Sequence, residues 1–358
     1  MADSTYAQAA LTPKLGGLGL RKTLEHADLA YAASWHESKK QSCEEWKQPP
    51  SVPDYVPQKR ASFSFDERVL DFLIDNATSD RDAQRLRRAA QPHAGGFITA
   101  VPSEEDGNDT VLRPRIFRVA VAYRLGVPLL AENIPCPMCK QTIDICGDHA
   151  TCCTHSGDLI VRHNAVRNFV NRIASDALLS PVMEKKGILG PTSGRRPGDV
   201  TIPIWSSGKG MAIDVAVTSP LSMSSVRLLS PCDEYAAGKH KKYDASFHHQ
   251  PFFFSALVLE TTGAINSEGD DLLRQLFRFA AKRLGREFSS YCGRAWARLS
   301  CNLQRAVSQM ILSRIGGAPA PTVLCPRSSL NVPHLALATS PPAPPHTLPE
   351  PPVIPVCP

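Results

Sequence analysis

Residues 196–221 read RPGDVTIPIWSSGKGMAIDVAVTSPL. Two β-type runs stand in this stretch, GDVTIPIW at 198–205 and GMAIDVAVTS at 210–219, both rich in Val, Ile and Thr. Ser206-Ser207-Gly208-Lys209 joins them as a hairpin. Asp199 starts the first strand and Asp214 sits in the middle of the second. Paired as neighbours, the strands let the two carboxylates face each other.

Upstream, residues 158–179 place Leu159, Val166, Phe169, Val170, Ile173, Ala177 and Leu178 at helical spacing, with His163, Asn164 and Arg167 near the start. A third β-type run follows around 181–185. Downstream, a helix over about 233–247 (DEYAAGKHKKYDASF) leads to an apolar strand, FFFSALVLE, at 252–260. Two further helices follow, DDLLRQLFRFAAKRLG and YCGRAWARLSCNLQRAVSQMILSRIGG. The predicted order α-β-β-β-α-β is the core topology of the restriction-endonuclease-like fold.

A carboxylate pair on adjacent strands suits Mg²⁺ or Mn²⁺, hard cations that take oxygen ligands and keep several waters. Such an ion supports phosphodiester hydrolysis by polarising phosphate and activating water. Taken singly, Asp199 is accounted for as a turn residue and Asp214 as a solvated strand position. AIDVAVTS, however, is a sequence that wants burial, and a buried carboxylate needs a cationic partner. Glu184, one strand earlier, is expected to supply a third carboxylate or to hold a metal-bound water. Nucleases of this type also use a lysine beside the second carboxylate. The D-x-K position is filled by Ala216, so Lys239 and Tyr243, four apart on one helix face, are the substitutes. Lys241 and Lys242 are near alternatives.

Between Ile134 and Asn164 lies IPCPMCKQTIDICGDHATCCTHSGDLIVRHN. Cys136 and Cys139 form a C-x2-C pair, and His149 with Cys153 supplies an H-x3-C half. Four nitrogen and sulfur ligands close a tetrahedral site, so the zinc expected here is structural. The spacing leaves the fourth ligand open between Cys153, Cys152 and His155. A loop with so few apolar residues depends on its metal for folding.

The chain has 358 residues, room for roughly two domains. Its net charge of +6 permits a polyanionic partner without the dense basic blocks of a tail. No apolar run approaches the ~18–20 residues of a membrane span, and residues 1–16 lack the basic start and apolar stretch of a signal peptide. A reducing intracellular compartment is expected, in which the eleven cysteines are free thiols plus a metal site. Five parts are expected: an N-terminal linker segment (1–60), a helical region (61–130), the CCHC zinc knuckle (134–157), the nuclease-like domain (158–316) and a disordered Pro-rich tail (317–358). Within the helical region Ser64-Phe65-Asp66-Glu67 reads as a capping box before VLDFLI, and RIFRVAVAYRLG ends at Gly126.

The segments CPMC, GDHATCCTHSGD, RHNAVRN, RPGDV, DVAVTSPL and KHKKY, in that order, resemble the C-terminal part of non-LTR retrotransposon polyproteins with a restriction-like endonuclease. LGGLGLRKTLEHADLAYAASW, PHAGGFITAVP and IFRVAVAYRLGVPL resemble the linker that joins the reverse transcriptase to the knuckle in those elements. The resemblance covers roughly residues 10–315. It implies Cys136, Cys139, His149 and Cys153 as zinc ligands, Asp199 and Asp214 as metal-binding carboxylates, and Lys239 with Tyr243 as the displaced lysine and its helical companion. It implies nicking of DNA, in the nucleus, to prime target-primed reverse transcription. There are two departures: Gly198 interrupts the family's Pro-Asp dipeptide, and the chain has no Tyr-x-Asp-Asp polymerase motif.

Two readings from other classes compete. In a catalytically silent binding protein, the zinc knuckle and a face of Arg162, His163, Arg167 and Arg172 grip the phosphates of DNA or RNA while the aspartates stay idle. In a scaffold protein, the Pro-rich tail and the helical stretch 268–315 dock partners. No membrane and no small-molecule cofactor is expected in any of the three.

Overall fold

The computed structural model describes residues 3–41, 57–190 and 195–316 and is mixed α+β. Its helices and strands run α1 (Asp3–Ala10), α2 (Thr23–Gln41), α3 (Gln58–Asp75), α4 (Asp80–Ala89), α5 (Pro114–Leu125), β1 (Ile134–Pro135), β2 (Thr142–Ile143), α6 (Asp158–Asp176), β3 (Val182–Met183), β4 (Val200–Ser206), β5 (Lys209–Thr218), α7 (Pro231–Phe247), β6 (Phe252–Glu260), α8 (Ser267–Arg283) and α9 (Phe288–Ile315). The Pro-rich tail and most of the Pro-rich joint after Gln48 lie outside the described residues.

The main sheet has the order β3-β4-β5-β6. β4 and β5 are antiparallel through a two-residue turn with Ser207 at φ 50° and Gly208 at φ 74°, both left-handed as a type I′ hairpin requires. β6 lies parallel to β5 from Gly210↔Phe252 to Thr218↔Glu260, and α7 makes the crossover between them.

Alternation sorts the strand residues between two faces. Met211, Ile213 and Val215 of β5, Val200 and Ile202 of β4, and Leu257 and Leu259 of β6 enter one large core with α6, α8 and α9. Ala212, Ala216, Ala256 and Val258 face the other way, into two small clusters beneath α7. Asp214 falls in register with the small residues on the α7 side. The alanines around it let α7 approach closely, which brings that helix's side chains to the carboxylate.

The boundaries expected from composition do not separate independent bodies. The large core runs continuously from Val119 and Tyr123 of α5 through Cys136, Ile143 and Cys153 to Ile315. The described part of the N-terminal segment is likewise docked. Arg85 donates to Gln8 Oε1 (2.6 Å) and to Arg124 O (2.7 Å), and Arg124 donates to Pro13 O (2.7 Å) and Ala94 O (3.0 Å), all buried or nearly so. At the main sheet, the Arg88 guanidinium of α4 meets the fully buried Glu260 at the end of β6 (2.8 Å).

The capping box is a correction. α3 already begins at Gln58 after Pro57, so Ser64 stands inside the helix on its exposed side. Asp66, in the same motif, is buried, accepting from Arg21 and from the backbone N–H of Thr12. Its carboxylate ties the N-terminal segment to α3, and burial raises its pKa against those partners. A second correction concerns the stretch 268–315 as a docking surface. Leu272, Leu273, Leu276 and Phe277 of α8 and Leu299, Leu303, Val307 and Ile311 of α9 are core residues.

Candidate functional site

The Cys/His cluster is built by turns that hold four side chains around one point. β1 and β2 pair Ile134 with Ile143, and the chain reverses between them with Lys140 N–H donating to Cys136 O. Lys140 itself is left-handed at φ 64°. The Asp144 carboxylate then accepts from the N–H groups of Cys146, Asp148 and His149, fixing the turn that carries the histidine. The ligand atoms of Cys136, Cys139, His149 and Cys153 all lie within 4.8 Å of one another. Cys139 Sγ is 3.2 Å from His149 Nε2, and Cys136 Sγ is 4.0 Å from Cys153 Sγ.

This Cys₃His set can hold a zinc ion. Cys153 takes the fourth place. Cys152 is exposed, with its sulfur on Asp148 O and His149 O, and His155 is exposed beside Thr154. Burial opposes ionisation of Cys136, but the N–H groups of Cys139 and Met138 outweigh it and hold the thiol down at about 6. A thiolate-ready sulfur is what a metal site needs.

Three contacts outside the cluster fix it to the sheet and helices. Arg81 of α4 makes a two-pronged contact with Asp148 at 2.7 and 2.8 Å. Thr151 Oγ1 donates to Ser219 Oγ (3.0 Å) just past β5. Arg314 of α9 pairs with Asp158 at the start of α6. These partners are far apart in sequence, and no local pattern announces them.

The second centre stands on β4, β5, α6 and α7. Asp199 immediately precedes Val200, which pairs with Ile213 of β5, and its carboxylate accepts from Val215 N–H (2.7 Å). Gly198 has a steric reason: a Cβ there would lie 3.1 Å from the Cβ of Ala212, so glycine lets the chain enter β4 against β5. Asp214 is 7 % exposed. Lys239 Nζ of α7 lies 2.6 Å from Asp214 Oδ2, a charge-assisted contact on a buried oxygen. Burial raises the pKa of Asp214; Lys239 opposes this, and the nearby Asp199 charge adds to it. The Lys239 ammonium is itself held above its ordinary value, burial working against it and Asp214 prevailing.

Of the residues expected in this centre, Asp199 and Lys239 are both close enough to act on the charge of Asp214. Tyr243 lies one turn along from Lys239, but its ring is buried with Ile188, Ala212 and Phe247 and tilted against Phe254 at 5.3 Å. It packs the floor under the lysine. Glu184 is a correction: its carboxylate is spent on Arg167 (2.5 Å) and Arg196 (3.0 Å), and only its backbone N–H reaches Asp199, at the carbonyl.

The expected phosphate-gripping face is a correction too. Arg162 is buried and donates to Thr151 O (2.7 Å) and Val217 O (2.9 Å), joining the metal loop to the end of β5. Burial lowers its pKa to about 10. Arg167 faces Glu184, and Arg172 faces Asp109 (2.7 Å). His163 instead belongs to the carboxylate centre, with Nε2 at 3.2 Å from Asp199 Oδ2. The contact with Asp199 raises its pKa against partial burial. The sequence carried a signal for this placement in RHN at the head of the helix, but that signal reads equally as a basic surface.

No protein-family model matches the chain, and no curated protein matches it. No helix among the described residues is long and apolar enough to cross a membrane.

Proposed function

We propose that the chain is a zinc-braced, divalent-metal-dependent DNA endonuclease of retroelement origin, with a restriction-endonuclease-like core over 158–316 that nicks DNA to prime target-primed reverse transcription. The observation that carries this is the meeting of Asp199, Asp214 and Lys239 on one face of a β4-β5-α7-β6 unit. Two carboxylates from adjoining strands and a lysine from the next helix form a complete hydrolytic set even though the D-x-K position holds Ala216.

The residues fit a cation. Asp214 is buried with the Asp199 charge nearby, so two carboxylates share the single ammonium of Lys239 that pairs with Asp214. Asp199 and Asp214 would hold Mg²⁺ or Mn²⁺, which when bound supplies phosphate polarisation and an acidified water. Lys239 neutralises charge developing beside Asp214. Tyr243 holds the α7 backbone against β5 and β6, so that the ammonium stays aimed at the strand. The Cys136, Cys139, His149 and Cys153 zinc knuckle braces the start of α6.

The silent-binding alternative rests on the zinc knuckle together with Arg162, His163, Arg167 and Arg172, and those four side chains have partners within the protein.

The test is nicking of supercoiled plasmid by zinc-loaded protein with Mg²⁺ or Mn²⁺, beside Asp199→Ala and Asp214→Ala. Cleavage by the wild type and loss in both variants is the expected result. A folded, zinc-loaded wild type that shifts DNA without cutting it overturns the endonuclease.

A further inference from the structure

Between α4 and α5 the chain carries an acidic loop, SEEDGND at 103–109. It lies against four arginines drawn from distant parts of the sequence. Glu105 pairs with Arg286 (2.8 Å) and with Arg294 of α9. Asp109 pairs with Arg172 of α6 (2.7 Å) and with Arg298 of α9 (3.4 Å). Each carboxylate is thus bracketed by two guanidiniums, and Arg294 and Arg298 stand one turn apart on the same helix face.

Holding the loop in place does not account for this arrangement. Val101 and Val111, which flank it, are exposed and put nothing into the core. Glu105 is 55 % exposed, and ion pairs so open to water hold a loop weakly. The backbone is held by another residue: Arg305 Nη2 donates to Asn108 O (2.9 Å), Asp109 O (3.0 Å) and Val111 O (3.0 Å).

A buried donor stands among the same arginines. Tyr291, at the start of α9, is 4 % exposed, and its hydroxyl has no hydrogen-bond partner among the described residues. Burial and Asp176 push its pKa up while Arg298, Arg286 and Arg172 pull it down, so the hydroxyl lies within the field of those guanidiniums. A buried hydroxyl left without a partner is costly. An anion with several oxygens, seated between the arginines, offers it an acceptor.

We propose that Arg172, Arg286, Arg294 and Arg298 form a binding surface for the phosphodiester backbone of a nucleic acid, and that Glu105 and Asp109 occupy its two phosphate positions in the free protein and yield them to the strand. Guanidinium forks match phosphate as they match carboxylate. A nucleic acid strand also releases counterions when it binds, a gain that the loop's carboxylates lack. Arg172 stands nine residues along α6 from His163, roughly 13 Å of helix, a separation that a few nucleotides span. The inference rests on the nuclease reading only for the class of partner.

The experiment uses the full zinc-loaded chain without added Mg²⁺ or Mn²⁺ and reads the fluorescence anisotropy of labelled duplex DNA and of single-stranded RNA over a range of salt. Glu105→Gln with Asp109→Asn is expected to tighten binding at least about threefold. Asp71→Asn with Asp75→Asn, the same change of net charge at exposed positions of α3, is expected to tighten it less. Arg286→Gln with Arg294→Gln is expected to weaken binding about tenfold and to reduce the slope of affinity against salt by about two. Tyr291→Phe is expected to keep the melting temperature and weaken binding by roughly twofold. Acid variants that bind no better than the α3 pair overturn the exchange of carboxylate for phosphate, and arginine variants with wild-type affinity overturn the surface itself. Melting curves and zinc content establish folding; should the arginine pair fail to fold, the acid pair against its α3 control decides. Plasmid nicking by the same samples with Mg²⁺ keeps the two readings apart. The expected binding pattern without nicking removes the nuclease and leaves the surface, and nicking at unchanged affinities does the reverse.

Discussion

Lys239 on α7 and Asp214 on β5 meet at 2.6 Å across the sheet–helix interface. The contact exists because Ala212, Ala216, Ala256 and Val258 leave the α7 face of the sheet shallow. The lysine thus reaches the aspartate by tertiary packing, while the residue two positions after it is the uncharged Ala216.

Removing that ammonium separates chemistry from stability. Lys239→Met is expected to reduce nicking by roughly 10²-fold or more at unchanged DNA affinity, a loss typical of one electrostatic stabiliser. It also leaves a buried carboxylate uncompensated, at a cost of about 1–3 kcal/mol for a pair that is partly exposed. The double variant Lys239→Met with Asp214→Asn is expected to recover most of the stability and none of the activity. Urea midpoints read alongside plasmid nicking check both halves; equal activity in Lys239→Met and wild type would remove the lysine from the mechanism.

Zinc removal is expected to act on catalysis and not on DNA affinity alone. Cys136 and Cys153 are part of the large core, and Arg162 spans Thr151 O and Val217 O between the metal loop and the end of β5. Chelation, or Cys153→Ser, should lower the melting temperature, loosen α6 and abolish metal-dependent nicking together. Cys152→Ser and His155→Gln should keep full zinc content, measured colorimetrically after denaturation. An autonomous knuckle would give the opposite pattern, weaker binding with the melting temperature intact.

Arg162 also marks where local sequence stops informing. A basic residue in the first turns of a helix, next to His163 and one turn before Arg167, has the composition of a phosphate-binding face; only the positions of Thr151 and Val217 reveal that its guanidinium is consumed internally. Ser64-Phe65-Asp66-Glu67 failed as a helix start for a similar reason, because the helix had begun at Gln58 and Asp66 was needed by Arg21 and Thr12. What was legible rested on short-range periodicity and spacing. The apolar positions of α6, the two long strands with their Ser207-Gly208 turn, and Cys136, Cys139 and His149 are of this kind. Cys153 could be separated from Cys152 and His155 only once the chain was folded, since adjacent residues differ in direction and not in chemistry.

The Arg88–Glu260 pair should be the strongest single bond between the N-terminal helices and the sheet. Its side chains are 6 % and 0 % exposed, and Glu260 also accepts from Cys232 N–H (3.2 Å) at the start of α7 and from the Thr262 hydroxyl (3.1 Å). Arg88→Met is expected to cost about 3–5 kcal/mol because it strands a buried carboxylate. Adding Glu260→Gln should return part of that, since the amide oxygen still serves Cys232 and the charge is gone. A chain beginning at residue 131 lacks Arg88 altogether and is expected to be protease-sensitive throughout. Denaturant midpoints and limited proteolysis are the measurements; a stable, protected 131–316 fragment would mean that the two parts are independent after all.

His240, next to Lys239, gives the pH dependence. Its Nδ1 lies 2.8 Å from Asp244 Oδ1 and its Nε2 2.7 Å from Glu268 Oε2, with the Phe254 ring at 5.2 Å, so the imidazolium joins α7 to the first turn of α8. Burial pushes its pKa down, but Glu268 and Asp244 prevail and hold it above the ordinary 6.5. A histidine whose folded pKa exceeds its unfolded one contributes stability that is complete below the unfolded pKa and disappears as pH rises through the folded one. His240→Ala should therefore cost stability near about pH 6 and little near about pH 9. With Asp244 61 % and Glu268 37 % exposed, the difference is small, about 0.5–1 kcal/mol. Melting curves of wild type and variant across that range decide it. A gap that stays constant with pH would mean that His240 acts through its packing on Phe254, and one that widens upward would mean that the folded pKa is depressed.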